Sequence, residues 1–189
     1  DLVSGGPPCQ SFSLAGMRDH THHRNELPWE FAQFVKKVRP KIALLENVSG
    51  ILRAFKIDGK EYYAWFEVAK AFAKVGYIPL CLHVNAKYAG TAQNRPRFIM
   101  ISIRHDIYKS IKRNSKDQDL IDLLKPSADL YFNIKKSIDP EYGSLRYYDI
   151  EKDIQLFNKS ILSPLIARKE KKFSVKDAID DLRSVSESE

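Results

Sequence analysis

The chain has 189 residues, 43% of them hydrophobic and 29% charged, enough for one domain with its own core but too few for two large ones. A net charge of +7 permits a polyanionic partner without requiring one. No apolar run reaches the roughly 18 residues of a membrane span, and the first residues lack the basic and apolar regions of a signal peptide. With two cysteines, Cys9 and Cys81, the chain does not read as a secreted disulfide scaffold, and a reduced, cytoplasmic setting is expected.

Leu2-Val3-Ser4 predicts a short buried strand that ends in a glycine-proline turn. The chain opens directly on this strand with Asp1 and no initiator Met, so further residues are expected upstream. Residues 10–27 are polar, rich in His and Arg and without periodicity, and read as a long loop. Pro28 suits the first position of a helix. Trp29, Phe31, Ala32, Phe34, Val35 and Val38 form its apolar stripe, and it must stop near Arg39, before Pro40. Ile42 to Leu45 is a continuous apolar run of the kind found in buried parallel strands. Tyr62 to Val75 predicts a second amphipathic helix, with Trp65, Ala69, Phe72 and Val75 on one side and Gly76 as its stop. Ile78, Leu80, Leu82 and Val84 alternate as in a strand, and Phe98 to Ile103 is another.

The order strand, helix, strand, helix, strand, strand is that of an open α/β sheet, whose sites lie at the carboxyl ends of strands. From about residue 105, Lys, Asp, Ser and Asn become frequent and apolar residues sparser. The chain is therefore divided into a catalytic half, 1–105, and an irregular, partly helical segment, 106–189, whose tail from Ser184 is expected to fray.

Three short motifs fall at predicted strand ends: Gly5-Gly6-Pro7-Pro8-Cys9-Gln10 after the first, Glu46-Asn47-Val48 after the second, and Gln93-Asn94-Arg95-Pro96-Arg97 before the last. A thiol, a carboxylate and two guanidiniums meeting there suit one chemistry. Carbon 5 of cytosine is a poor nucleophile until a thiolate adds to carbon 6 and makes it enamine-like. A free thiol titrates at roughly 8.5, so a cation or helix end must favour its ionised form. A carboxylic acid kept protonated by burial can donate to ring nitrogen 3. A guanidinium aimed at the exocyclic oxygen stabilises the same developing charge. Cys9, Glu46 and the Arg95/Arg97 pair fill these roles, and the base must first leave its stack.

These motifs resemble those of the C5-cytosine methyltransferase family. Residues 6–16 read Gly-Pro-Pro-Cys-Gln-Ser-Phe-Ser-Leu-Ala-Gly, the family's nucleophile segment. The Glu-Asn-Val motif stands at 46–48, followed by Ser49-Gly50. The Gln-x-Arg-x-Arg motif stands at 93–97, preceded by Asn85-Ala86, and Arg24-Asn25-Glu26-Leu27 is similar to the family's Arg-x-x-Leu element. Val175 to Leu182 resembles a segment that often precedes the target-recognition region. The resemblance implies a partial Rossmann-like sheet of the class I methyltransferase kind, S-adenosylmethionine as methyl donor and double-stranded DNA as partner. It implies Cys9 as nucleophile and Glu46 as the group that protonates or hydrogen-bonds nitrogen 3, supported by Asn47. Arg97 would reach oxygen 2, and Arg95 would position the carboxylate and a nearby phosphate. Pro7, Pro8 and Leu27 would line the base and donor pockets. Gln10 and Ser11 would begin the loop that closes over the flipped base, and Gln93 would belong to the base-side set.

The family's glycine loop for the donor, an acidic residue ending a second strand, the late Asn motif and a complete target-recognition region have no counterpart here. Ala92 stands where the family often has Pro. The chain is therefore expected to be the middle of a longer enzyme, with a complementary chain or further segments supplying the donor-binding and target-recognition parts. Alone it is expected to be inactive. Two alternatives remain: the related tRNA-methylating branch, disfavoured by Gln93 and by the lack of any Cys after Cys81, and a catalytically inert remnant that binds DNA or a partner. Cys81, in an alternating strand, reads as core. His20, His22 and His23 read as solvated loop residues rather than metal ligands, and the basic runs Lys109–Lys116 and Arg168–Lys172 as solvated faces.

Overall fold

A computed structural model of the chain describes residues 1–7, 27–57, 60–89, 91–116 and 118–157. Of the loop predicted at 10–27, Leu27 instead begins a helix and residues 10–26 lie outside the described residues, as does everything from 158 onward, including Arg168–Lys172 and Val175–Leu182. Strand β1 (Leu2–Gly5) runs parallel to β2 (Ile42–Val48), with helix α1 (Leu27–Val38) between them in sequence. A 3-10 turn (Ser49–Leu52) and a small antiparallel hairpin, β3 (Phe55–Ile57) and β4 (Lys60–Tyr62), lead to α2 (Ala64–Lys74). The strands β5 (Tyr77–Asn85) and β6 (Pro96–Arg104) pair antiparallel. Then come α3 (His105–Asn114), α4 (Gln118–Lys135), the two-residue β7 (Tyr148–Asp149) and a short α5 (Ile154–Phe157). Among the described residues the main sheet has five strands in the order β1-β2-β6-β5-β7. This is a mixed α/β fold: β1 is parallel to β2, β7 is parallel to β5, and β6 is antiparallel to both its neighbours.

Burial explains why these segments take these forms. On β2, Ala43, Leu45 and Asn47 are buried while the residues between them are partly covered, the period-2 pattern of a sheet packed more heavily on one side. The helices α1, α2 and α4 pack side by side, α1 on α2 and α2 on α4. Helix α2 buries Trp65, Val68, Ala69, Phe72 and Ala73, and it ends at Gly76, whose φ is +102°. Phe31 of α1 meets Phe72 of α2 with ring centroids 5.9 Å apart.

Several sequence expectations need correction. The buried face of α1 is narrower than its apolar stripe: Ala32 and Val35 are fully buried, but Phe34 and Val38 are about half exposed. Strand β5 does not alternate, because Tyr77 to Leu82 are buried at every position under α2, α3 and α4. Strand β2 continues to Val48, so Glu46-Asn47-Val48 is the end of the strand rather than a turn after it. The β3–β4 hairpin was not anticipated, although Asp58-Gly59 is a two-residue turn signal between its strands. Past residue 105, Tyr108, Leu123, Leu124, Ala128, Leu130, Tyr131, Leu145 and Tyr148 belong to the same buried cluster as β5 and β6.

The C-terminal turns of α1, α2 and α4 carry Lys36, Lys74 and Lys135, which with Arg39 and Arg104 line a cavity of about 360 Å³ at the Tyr77 end of the sheet. Cations at helix C-termini offset the negative ends of the helix dipoles. Part of the net positive charge therefore has a structural role away from the sequence motifs. No helix among the described residues is long and apolar enough to cross a membrane.

The helix faces make a direct prediction. Phe72→Ala is expected to cost about 3–5 kcal/mol in urea unfolding, whereas Phe34→Ala, on the outer face of α1, should cost less than about 1 kcal/mol. Comparable losses for the two would contradict the placement of α1.

Candidate active site at one end of the sheet

The strand directions bring the motifs together. Since β1 is parallel to β2 and β6 antiparallel to it, the ends of β1 and β2 and the start of β6 share one end of the sheet. Gly5 pairs with Leu45, Val48 with Arg97, and Asn85 at the end of β5 with Pro96.

Glu46 and Arg97 lie on the same face. Glu46 pairs with Ile99, so Arg97 is its diagonal neighbour two residues along β6. Arg97 Nε donates to Glu46 Oε1 at 2.7 Å, and Arg97 Nη1 donates to the Pro96 carbonyl at 2.9 Å. The Glu46 side chain is 45% exposed and that of Arg97 20%. Burial of the carboxylate, which the chemistry calls for, is thus not complete among the described residues.

Asn47 points to the opposite face and is buried. Its Nδ2 donates to the Pro7 carbonyl at 3.1 Å and its Oδ1 accepts from the Val48 N–H at 2.8 Å. It thereby ties the chain leaving β1, two residues before Cys9, to the end of β2. Two glycines allow this close approach. A Cβ at Gly5 would lie 2.8 Å from the Phe31 ring, and a Cβ at Gly6 would lie 3.3 Å from Glu46 Oε2. Gly6 therefore lies against Glu46, while the Pro7 carbonyl is held by Asn47 from the other face of β2. Pro8, Cys9, Gln10 and Ser11 lie outside the described residues.

The third motif is split by the strand boundary. Arg97 is inside β6, but Gln93, Asn94 and Arg95 are exposed in the turn before it. The Arg95 side chain has no ion pair among the described residues, so the guanidinium that meets the carboxylate is that of Arg97. Asn85, quoted in the sequence only as a motif neighbour, is part of the site: its side chain bonds to Arg95, Lys87 and Asn94. The sequence signal for it was an amide at a strand end ten residues before Arg95, too weak to assign a role. Leu27 is the first residue of α1 and is half-buried. No group of three or more His, Cys, Asp or Glu is placed to hold a metal among the described residues. His20, His22 and His23 lie outside them.

Cys81 is fully buried in β5, and burial pushes its thiol well above the ordinary range. Iodoacetamide at pH 8 is expected to leave Cys81 unmodified in the native protein and to modify it once the chain is unfolded. Peptide mapping that found Cys81 alkylated under native conditions would contradict its place in the core.

Comparison with known proteins gives a consistent result. The family model for C-5 cytosine-specific DNA methylases matches residues 1–185. The Type II methyltransferase M.DdeI of Desulfomicrobium norvegicum is 41% identical over 106 residues, covering 56% of this chain and 25% of that protein. The Type II methyltransferase M.HindV of Haemophilus influenzae is 37% identical over 101 residues, covering 53% of this chain and 31% of that protein. The orphan methyltransferase M.SPRI of Bacillus phage SPR is 38% identical over 112 residues, covering 58% and 24%. The chain thus spans about a quarter to a third of the length of these relatives. With a family match over nearly its whole length and an ion-paired Glu-Asn-Val strand end, the chain belongs to the C-5 cytosine-specific DNA methylase family.

Proposed function

We propose that this chain provides the catalytic motifs of a DNA (cytosine-5)-methyltransferase, which moves a methyl group from S-adenosylmethionine to carbon 5 of a cytosine flipped out of double-stranded DNA. The observation that carries this reading is the Glu46–Arg97 pair, at the same sheet end as the tethered Gly6-Pro7 exit of β1. The Cys9 thiolate adds to carbon 6, forming the S–C6 bond, while Glu46 delivers or shares a proton at nitrogen 3. The electron density that this places on carbon 5 takes up the methyl group. The carbon 5 proton then passes to water, the thiolate leaves carbon 6 and the nitrogen 3 proton returns to Glu46, which restores the ring and frees Cys9.

Within this scheme Arg97 aligns Glu46 and turns its remaining N–H groups toward oxygen 2. Arg95, exposed and without an ion pair among the described residues, is left to meet a DNA phosphate. Asn47 supports Glu46 by fixing the end of β2, Pro7 lines the base pocket and Gln93 joins it from the turn. Gln10 and Ser11 begin the closing loop. The half-exposed carboxylate is open to a base arriving from solvent while Arg97 holds its other oxygen. S-adenosylmethionine supplies the methyl group. The fit of this chain to the donor is partial: Leu27 and Pro8 would line its pocket, and the glycine loop and acidic strand end would come from a complementary chain or further segments, as would target recognition. Residues 1–105 are the catalytic part and 106–189 lead toward target recognition, though the buried cluster runs across that division. The Type II names of relatives support a restriction-modification role, in the prokaryotic cytoplasm at the nucleoid.

A duplex bearing 5-fluorocytosine tests the reading, because fluorine stands in place of the carbon 5 proton, blocks the elimination that would free Cys9 from carbon 6, and leaves the adduct in place. With S-adenosylmethionine and a donor-binding segment of the family present, a covalent complex through Cys9 is expected. Cys9→Ser should abolish it, and Glu46→Gln should slow its formation about 10²–10⁴-fold. An adduct that persists in Cys9→Ser would refute the nucleophile. Tight DNA binding with no adduct in any combination would point instead to the inert remnant. Methylation of DNA by the 189 residues alone, with labelled donor, would overturn the view that the donor site lies largely elsewhere.

A further inference from the structure

We propose that Asn85 is a positioning residue for the turn before β6, and that its side-chain amide sets the place from which Arg95 engages a DNA phosphate. The proposal rests on the assignment of Arg95 to phosphate made above. Asn85 is the last residue of β5 and stands opposite Pro96, the first of β6. The connection between them, residues 86–95, carries Gln93, Asn94 and Arg95. One side chain ties both ends of it. Asn85 Oδ1 accepts from the Lys87 N–H at 3.2 Å and from the Arg95 N–H at 3.1 Å, and Asn85 Nδ2 donates to Asn94 Oδ1 at 2.8 Å. Two further bonds close the same base: the Ala86 N–H donates to the Arg95 carbonyl at 3.2 Å, and the Thr91 hydroxyl donates to the Ala86 carbonyl at 2.8 Å.

An amide is suited to this place because it accepts through two lone pairs and donates through nitrogen at once. A hydroxyl is too short to span three partners, and an apolar side chain would remove the bonds to Lys87, Asn94 and Arg95 at once, leaving the Arg95 N–H with the Gln93 carbonyl at 3.1 Å inside its own turn and no tie to β5. The placement matters for Arg95 in particular. Its guanidinium has no ion pair among the described residues, so its position derives from its backbone. A long side chain on an anchored backbone searches less space before it meets a phosphate, and less entropy is lost on binding. Asn85 touches neither base nor donor in this scheme. It acts through Arg95.

The test pairs two readouts on the 189-residue chain. The first is duplex DNA binding by fluorescence anisotropy as salt is varied, for wild type, Arg95→Ala, Asn85→Leu and the double variant. Removal of one phosphate contact lowers the slope of log affinity against log salt by about one. Arg95→Ala is expected to do so, Asn85→Leu to lower it comparably, and the double variant to lose nothing more. The second readout is hydrogen exchange of the Arg95 amide. It should be protected in wild type and in Asn85→Asp, which keeps both acceptor pairs, and faster in Asn85→Leu, where the Gln93 carbonyl still accepts from it. If Asn85→Leu does not fold, Asn85→Ala takes its place in both measurements. If Arg95→Ala lowers the slope while the Asn85 variant leaves it unchanged, or if the two losses add, the positioning role is wrong and the phosphate assignment stands. If Arg95→Ala itself leaves the slope unchanged, the phosphate assignment is wrong, and the positioning role falls with it. A purely structural Asn85 would lower thermal stability and speed the exchange without moving the slope.

Discussion

The pairing register between β2 and β6 decides which side chains can meet. With Val48 opposite Arg97, Glu46 and Arg97 share a face, and Asn47 and Phe98 share the other. A slip of one residue would send every side chain of β6 to the opposite face. Burial holds the register in place. Ala43, Leu45 and Asn47 on β2, and Phe98, Met100 and Ser102 on β6, are all buried, and a shift would exchange them for Glu46, Arg97 and their neighbours. The core therefore fixes the ion pair from the opposite face of the two strands. The antiparallel return of β6 matters equally, because it brings the start of that strand, rather than its end, to the ends of β1 and β2.

The electrostatics of the molecule are divided between two ends of the sheet. At one, Glu46 and Arg97 pair in partial contact with solvent. At the other, Arg39, Lys74, Lys135 and Arg104 surround the cavity by Tyr77, where Arg104 is held by Asp106 through two nitrogens and by the Arg39 carbonyl. The Arg104 guanidinium holds the Asp106 carboxyl down at about 2. Helix C-termini explain much of this second concentration of cations. Among the described residues, part of the net charge thus lies at the end of the sheet away from Glu46 and Arg97.

Much of this arrangement was legible in the residues. Helices α1 and α2 and strands β2, β5 and β6 announce themselves by period and by Pro and Gly at their ends, and the motifs at 46–48 and 93–97 do mark one sheet end. What was not legible has physical causes. Phe34 and Val38 keep helical spacing with buried residues, yet the neighbour that would cover them is a matter of packing, which spacing does not encode. Helix α4 contains Pro126 and many polar residues, so its pattern reads as irregular, while Leu123, Leu124, Ala128, Leu130 and Tyr131 still give it a buried face. Which of two arginines meets Glu46 depended on where β6 begins. Arg95 and Arg97 have the same parity, and only the strand boundary at Pro96 separates a paired residue from one in the turn. Cys9 and the residues that follow it were identified by motif alone.

The tie between Asn47 and Pro7 is unequal at its two ends. Its donor is a side chain and its acceptor a main-chain carbonyl. Any residue at position 7 offers the same oxygen, so the bond itself places no demand on side-chain identity there, and the proline serves this bond only through the backbone angle it fixes. At position 47 nearly every replacement removes the donor. This bond thus constrains one partner and not the other, and a search for correlated changes between the two positions would miss a contact that the fold relies on.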